Sequence, residues 1–284
     1  MVFAGGLGAT MLAGCSVLGP IVHEERVMSV AHVNGTALSI LTANGSILGE
    51  REARGDVLIE VDLYGPDSER LRFANVHADR QGDGSLRIWV EWPGGKRRGN
   101  EGASIDVFIP DAVGVDASSS NGNITLLGLA GPATLESSNG NITVIGHSGS
   151  VNADTSNGKI RLDGVDGDII ADSSNGTVTI DDAFGLVQVD TSNANVFVST
   201  AHSNPGPVRV STSNGNVTLH LGDGFEGVLR VRTSNGSIGA QGFTGSTMVK
   251  TSKNHLEVKV GSSDEISAVR TSNGNVRISG RDDD

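Results

Sequence analysis

From residue 111 onward the apolar residues stand two apart in short runs, which is strand periodicity. Each pair of runs is interrupted by the same polar corner, first seen as Ser119-Ser120-Asn121-Gly122. With Asn121 as the marker, the corner returns at Asn139, Asn157, Asn175, Asn193, Asn214, Asn235, Lys253 and Asn273. The steps are 18, 18, 18, 18, 21, 21, 18 and 20 residues. Ser or Thr stands two before the marker and Ser one before it, in every copy. The position four before is apolar throughout, from Ala117 and Leu135 to Val269, and so is the position three after, from Ile124 to Val276. The offset between these two apolar positions is odd, so a straight strand would carry the second to the outside. The chain must turn at Ser-Asn-Gly for both flanks to face one interior. A second corner follows in several copies, as in Gly128-Leu129-Ala130-Gly131 and Gly146-His147-Ser148-Gly149.

Two short strands and two corners per 18–21 residues make one coil of a stacked array. The pattern predicts an all-β chain, a parallel β-solenoid in the form of a right-handed β-helix of about nine coils, preceded by an irregular β head. Stacking puts the markers in register, where Asn amides can hydrogen-bond along a ladder. The residue after the marker is Gly in seven copies, Asn254 in one and Ala194 in one. Gly and Asn accept a left-handed backbone cheaply, so these corners are expected to be left-handed. Asn-Gly between apolar runs is also a hairpin signal. A meander of hairpins would not need the same corner letters about every 19 residues, always with Ser before them.

The order of segments follows. Residues 1–15 form a lipoprotein-type signal peptide, 16–110 the β head, 111–280 the repeat solenoid and 281–284 an acidic tail, Arg281-Asp282-Asp283-Asp284, which would blunt an open sheet edge. The apolar run from Met1 to Leu12 is too short to span a bilayer. It ends in Leu12-Ala13-Gly14-Cys15, which resembles the bacterial lipobox. That resemblance implies diacylation of Cys15 and a mature chain beginning there. Cys15 is the only cysteine, so no internal disulfide forms. No Lys or Arg precedes the apolar run, which leaves open a start upstream of Met1. In the head, Val57, Ile59, Val61 and Leu63 alternate, as do Leu86, Ile88 and Val90 and then Ile105, Val107 and Ile109. Pro93 to Gly99 is a basic loop, and Asn44-Gly45-Ser46-Ile47 reads as a degenerate repeat corner. Trp89, between Arg87 and Glu91, sits on the polar side of its strand, either to meet a ligand or to be covered by a loop.

Composition narrows the function. The 284 residues carry a formal net charge of −12, which argues against a nucleic-acid partner. Aromatics make up 4 %, too few for a conventional large core, so the interior must be thin and aliphatic and its stability must come from stacking. The seven histidines (23, 32, 77, 147, 202, 220 and 255) have no short ligand spacing. Gly-x-Ser-x-Gly is absent, and no phosphate or dinucleotide loop stands in a strand–helix context. No cofactor is expected.

Two acidic sets remain. Asp163 and Asp181 are equivalent positions, placed by stacking about 4.8 Å apart, close to the carboxylate separation of a retaining glycosidase. No other column supplies them a convergent basic or aromatic group, so the enzyme reading stays secondary. Glu136, Asp154, Asp172 and Asp190 stand three before their markers, pointing outward, and the same position later becomes Arg232, Lys250 and Arg270. Four stacked carboxylates repel one another, which a cation or a cationic partner would relieve.

The whole layout resembles a family of bacterial envelope proteins, the β-strand-repeat putative adhesins of unknown function. The matching residues are Ile105-Asp106-Val107-Phe108-Ile109-Pro110, closing the head, and Thr155-Ser156-Asn157-Gly158-Lys159-Ile160, at a turn. The resemblance spans about residues 25–280. It implies a fold and an exported, envelope location, and it carries no catalytic residues. The expectation is a lipid-anchored envelope solenoid acting as a structural or interaction module, held to the membrane through Cys15, with an envelope protein or glycan as ligand. The alternatives are a scaffold that self-associates end to end and a carbohydrate-active β-helix enzyme.

Overall fold

The computed structural model describes residues 20–243 and 247–280, apart from the side chains of 247–251. Two sheets of 12 and 13 strands face each other across one aliphatic interior. Each coil gives one strand to each sheet. The Asn121 coil, for example, gives Val115–Ser119 to one and Ile124–Leu127 to the other. Successive coils pair in parallel at a constant offset: Leu135 lies beside Ala117 and Ala153, and Ile142 beside Ile124 and Ile160. The parity argument therefore holds. Ala117, Leu135, Ala153, Ala171 and Val189, on one side of the corner, are buried together with Ile124, Ile142, Ile160, Val178 and Val196 on the other.

The corner works through three of its four residues. At Asn157, the side-chain amide donates to the Asn139 side chain at 2.8 Å, and Asn139 donates onward to Asn121 at 2.8 Å. The ladder runs through Asn44, Asn121, Asn139, Asn157, Asn175, Asn193, Asn214, Asn273 and Asn235 in that spatial order. Two residues before the markers Asn121, Asn139, Asn157 and Asn175, a buried hydroxyl makes two bonds. Thr155 Oγ1 donates to the Gly140 carbonyl at 3.1 Å and accepts from the Gly158 N–H at 3.1 Å. Ser119, Ser137 and Ser173 repeat both bonds. Backbone groups that the turn removes from the sheets are satisfied by this column, as buried polar groups require.

The glycine of the corner has a different reason from the one expected. Gly122, Gly140, Gly158 and Gly176 do not have positive φ. A Cβ on Gly158 would instead lie 1.8 Å from the carbonyl oxygen of Gly140, and the same contact recurs coil after coil. Close backbone approach, not handedness, excludes a side chain here. The left-handed residues belong to the second corner, where Gly128, Gly146, Gly164 and Asp182 stack with φ of 66°, 63°, 63° and 55°. Ala194 is the exception in the first corner, and the cost is visible. Thr191, whose Oγ1 should serve that coil, is buried without a hydrogen-bond partner.

The head is not separate from the solenoid. Leu38–Thr42 and Ile47–Arg51, flanking Asn44, form a further coil in parallel register with the Asn121 coil. Beyond it both sheets continue in cap strands. Gly102–Ile109 pairs in parallel with Ile47–Arg51, then Asp56–Gly65 and Val22–Ala31 follow antiparallel. On the other sheet Leu86–Glu91 and Asn75–Arg80 close the end. The basic loop is pinned to this cap. Arg70 donates to the buried Glu101 carboxylate, which also accepts from the Arg98 N–H at 2.7 Å, and Arg97 donates to the Glu101 carbonyl. Burial works to raise the Glu101 pKa, but the bonds from Arg70 and Arg98 outweigh it and hold the carboxyl below its ordinary range.

At the C-terminal end the order of coils departs from the order of the chain. The last coil, Ile266–Thr271 with Val276–Gly280, inserts between the Asn214 and Asn235 coils. The copy at Lys253 is not a coil of the stack. Its strands Thr247–Ser252 and His255–Val260 form an antiparallel hairpin against Gly227–Thr233. It lacks the Asn and the Gly that the ladder and the close approach require. The acidic tail and the leader with Cys15 lie outside the described residues.

Candidate functional site

The acidic set predicted from sequence is assembled on the outer face of the second sheet. Glu136 lies beside Asp154, Asp154 beside Asp172, and Asp172 beside Asp190. They alternate with the buried Leu135, Ala153, Ala171 and Val189, which fixes their outward direction. Neighbours along the column are one strand spacing apart, about 4.8 Å. Asp154, Asp172 and Asp190 line a shallow groove of about 310 Å³ together with Ser173, Ser174 and Thr191. The Asp172 carboxyl is pushed above its ordinary pKa, by burial first and then by the charges of Asp190 and Asp154. Among the described residues no three His, Cys, Asp or Glu side chains converge tightly enough to hold a metal ion. Strands keep the carboxylates in a line, whereas a calcium site needs six to eight oxygens around one point.

The column then changes sign. Asp190 is followed by Ser211, Ser211 by Arg270, Arg270 by Arg232, and Arg232 by His255. Sequence order placed Arg232 before Arg270, and the inserted last coil reverses them. Two neighbouring grooves continue the same face, one of about 400 Å³ lined by Gln188, Asp190, Arg209 and Arg270, the other of about 530 Å³ lined by Arg232, Arg270, Ser211 and His255. Arg209 was missed in the sequence. Its equivalents in neighbouring coils are Gln188 and Ala268, so no charge pattern marks it.

The second acidic pair is differently placed. Asp163 and Asp181 are register partners on the opposite sheet, as expected. Arg161 reaches both, at 2.6 Å and 3.7 Å. A convergent basic group is therefore present, and it occupies the carboxylates as an ion-pair cluster. Trp89 is covered. His77 stacks on its ring at 4.7 Å, and the Arg87 guanidinium lies 5.1 Å from its centroid. His220 Nδ1 is 2.6 Å from Ser279 Oγ at the surface, and among the described residues no carboxylate is bonded to the imidazole. His147 is buried, bonded through Nε2 to the Gly131 carbonyl at 2.7 Å, and burial lowers its pKa. No helix among the described residues is long and apolar enough to cross a membrane.

Fold and faces together define a parallel β-solenoid with an antiparallel cap and long, polar, charge-segregated sides. No family model and no curated protein matches the chain. Among solved structures it is similar to a "putative adhesin" from Parabacteroides merdae ATCC 43184, at 12% identity and a TM-score of 0.38, over 90% of this chain and 96% of that one. It is similar also to a "putative lipid binding protein" from Parabacteroides distasonis ATCC 8503, at 11% identity and a TM-score of 0.39, over 92% and 97% of the two chains. A third is a "putative cell adhesion protein" from Clostridium sporogenes ATCC 15579, at 11% identity and a TM-score of 0.26, over 92% and 100%. Scores this low leave the function to be argued from the residues.

Proposed function

We propose that this chain is a lipid-anchored cell-envelope solenoid, held to the membrane through Cys15, that works as a structural or interaction module. The observation that supports this is the outer face described above. Its acidic column runs unbroken over four coils and, past Ser211, passes into arginines, on a scaffold whose marker asparagines bond to one another in a ladder. Such a surface recognises by extended charge pattern rather than by an enclosed pocket. Partners on this reading are the membrane at the N-terminus and an envelope protein or glycan along the solenoid. Glu136, Asp154, Asp172 and Asp190 receive the cationic groups of that partner. The enzyme reading is weakened by Arg161, which pairs with both Asp163 and Asp181.

The anchor is tested by palmitate labelling and detergent partition of the full chain in a bacterial host. Both are expected for the parent chain and lost in Cys15→Ser. Unchanged labelling and partition in Cys15→Ser overturn the lipoprotein reading. Release of reducing sugar from a polysaccharide, abolished by Asp163→Asn, would overturn the non-enzymatic one.

A further inference from the structure

The face that changes sign does so symmetrically. Along the column the spatial order is Asp154, Asp172, Asp190, Ser211, Arg270, Arg232, His255. Counted from Ser211, one step gives Asp190 on one side and Arg270 on the other. Two steps give Asp172 and Arg232. Three steps give Asp154 and His255. The charge pattern is antisymmetric about Ser211 over the first two steps, and spatial order puts Arg270 before Arg232 and a histidine at the third.

We infer that this face docks onto the same face of a second copy, antiparallel, about a two-fold axis that runs along the strands at the level of Ser211. A two-fold axis in that direction turns one sheet over onto the other, reverses the solenoid axis and keeps each column above itself. Asp190 then meets Arg270 of the second copy, Asp172 meets Arg232, and Asp154 meets His255, each contact occurring twice. This is an isologous contact, which closes on itself and does not grow. Ser211, a small exposed residue, lies on the axis where the two columns cross. Arg209 also falls near the axis, where it would face its own copy. It is already paired with Glu265 at 3.2 Å, so two neutralised pairs meet there rather than two bare cations. The second copy fits this face better than an unrelated cationic partner does. A purely cationic partner answers Asp154 to Asp190 and is repelled by Arg270 and Arg232 on the same surface.

Size sets the strength. Six strand steps of about 4.8 Å and a five-residue strand of about 3.3 Å per residue give a patch of about 30 by 17 Å. That is on the order of 500 Å² per copy, at the lower edge of specific interfaces, so the dimer is weak and transient. The net charge of −12 opposes encounter at long range. Measurement therefore belongs near 0.1 M salt, where a Debye length of about 10 Å screens whole molecules more than touching pairs.

The experiment is sedimentation velocity on the full chain carrying Cys15→Ser, so that no lipid drives association. A concentration series should show a monomer–dimer equilibrium with no larger species, weakened by 0.5 M salt. Asp172→Arg and Arg232→Asp should each weaken self-association roughly tenfold or more, because each places like charges together twice. An equimolar mixture of the two variants restores opposite charges at both symmetry-related contacts, so it should dimerise like the parent. Unchanged thermal melts confirm that both variants fold. A monomer at every concentration, filaments in place of a dimer, or a mixture no better than the separate variants would overturn the inference.

Discussion

Gly158→Val is expected to destabilise the solenoid by about 3–5 kcal/mol, summing an overpacking cost with hydrogen bonds lost beside it. A Cβ at this position meets the Gly140 carbonyl oxygen at 1.8 Å, and that oxygen belongs to the backbone of the neighbouring coil. It cannot swing away as a side chain would. Relief requires the coils to part, which strains the bond that Thr155 makes to the Gly140 carbonyl. Gly158→Asn separates this cause from a left-handed backbone. Asn tolerates a left-handed conformation, so it would be nearly neutral if handedness were the reason for glycine. Steric exclusion makes it almost as damaging as Val. The converse change, Ala194→Gly, should be neutral or stabilising, since it lets Thr191 recover its two partners while adding chain entropy to the unfolded state. Urea midpoints of the three variants against the parent decide the matter, and a tolerated Gly158→Asn would refute the steric account.

Thr155→Val should cost about 2–4 kcal/mol although it removes no volume from the core. The replacement is nearly isosteric, so packing around this 1 % exposed side chain is kept. What is lost is one hydroxyl that serves two buried backbone groups, the Gly140 carbonyl and the Gly158 N–H. Each group left without a partner costs roughly 1–3 kcal/mol. Thr155→Ser keeps both bonds and should lose less than half as much. Because coils contact only their neighbours, the damage should appear first as local opening. Hydrogen exchange at the Asn139 to Asn175 corners, compared between parent and variant, reads it directly. Equal protection in Thr155→Val and Thr155→Ser would show that the hydroxyl bonds contribute nothing.

Much of this was legible because a repeat states its rule many times. The odd offset between Ala117 and Ile124 required a corner, and the repeated Asn required a ladder. What glycine does at a corner was not legible. A positive φ and a close backbone approach call for the same letter. In this fold the first governs Gly146 and the second Gly158. Coil order at the C-terminal end was hidden for a related reason. Asn214, Asn235 and Asn273 carry equivalent corners, and local letters do not say which coil stacks on which. Only the Lys253 copy announced itself, by lacking both Asn and Gly, and it is the one outside the stack. The acidic half of the outer face could be read along the chain. The spatial order of the arginines that follow it could not, since Arg270 reaches Ser211 across 59 residues.

That inserted coil decides which arginine faces which carboxylate in the proposed interaction face. Paired cysteines test it most directly in a chain carrying Cys15→Ser. Ser211 and Arg270 are register partners on adjacent strands, within reach of a disulfide. Ser211 and Arg232 are separated by the Arg270 strand, about 9.6 Å at two strand spacings and too far to bridge. Mild oxidation followed by mass analysis should therefore show an intramolecular bridge in Ser211→Cys with Arg270→Cys and none in Ser211→Cys with Arg232→Cys. A bridge in the second pair and not in the first would mean that the coils stack in chain order, and the account would fail.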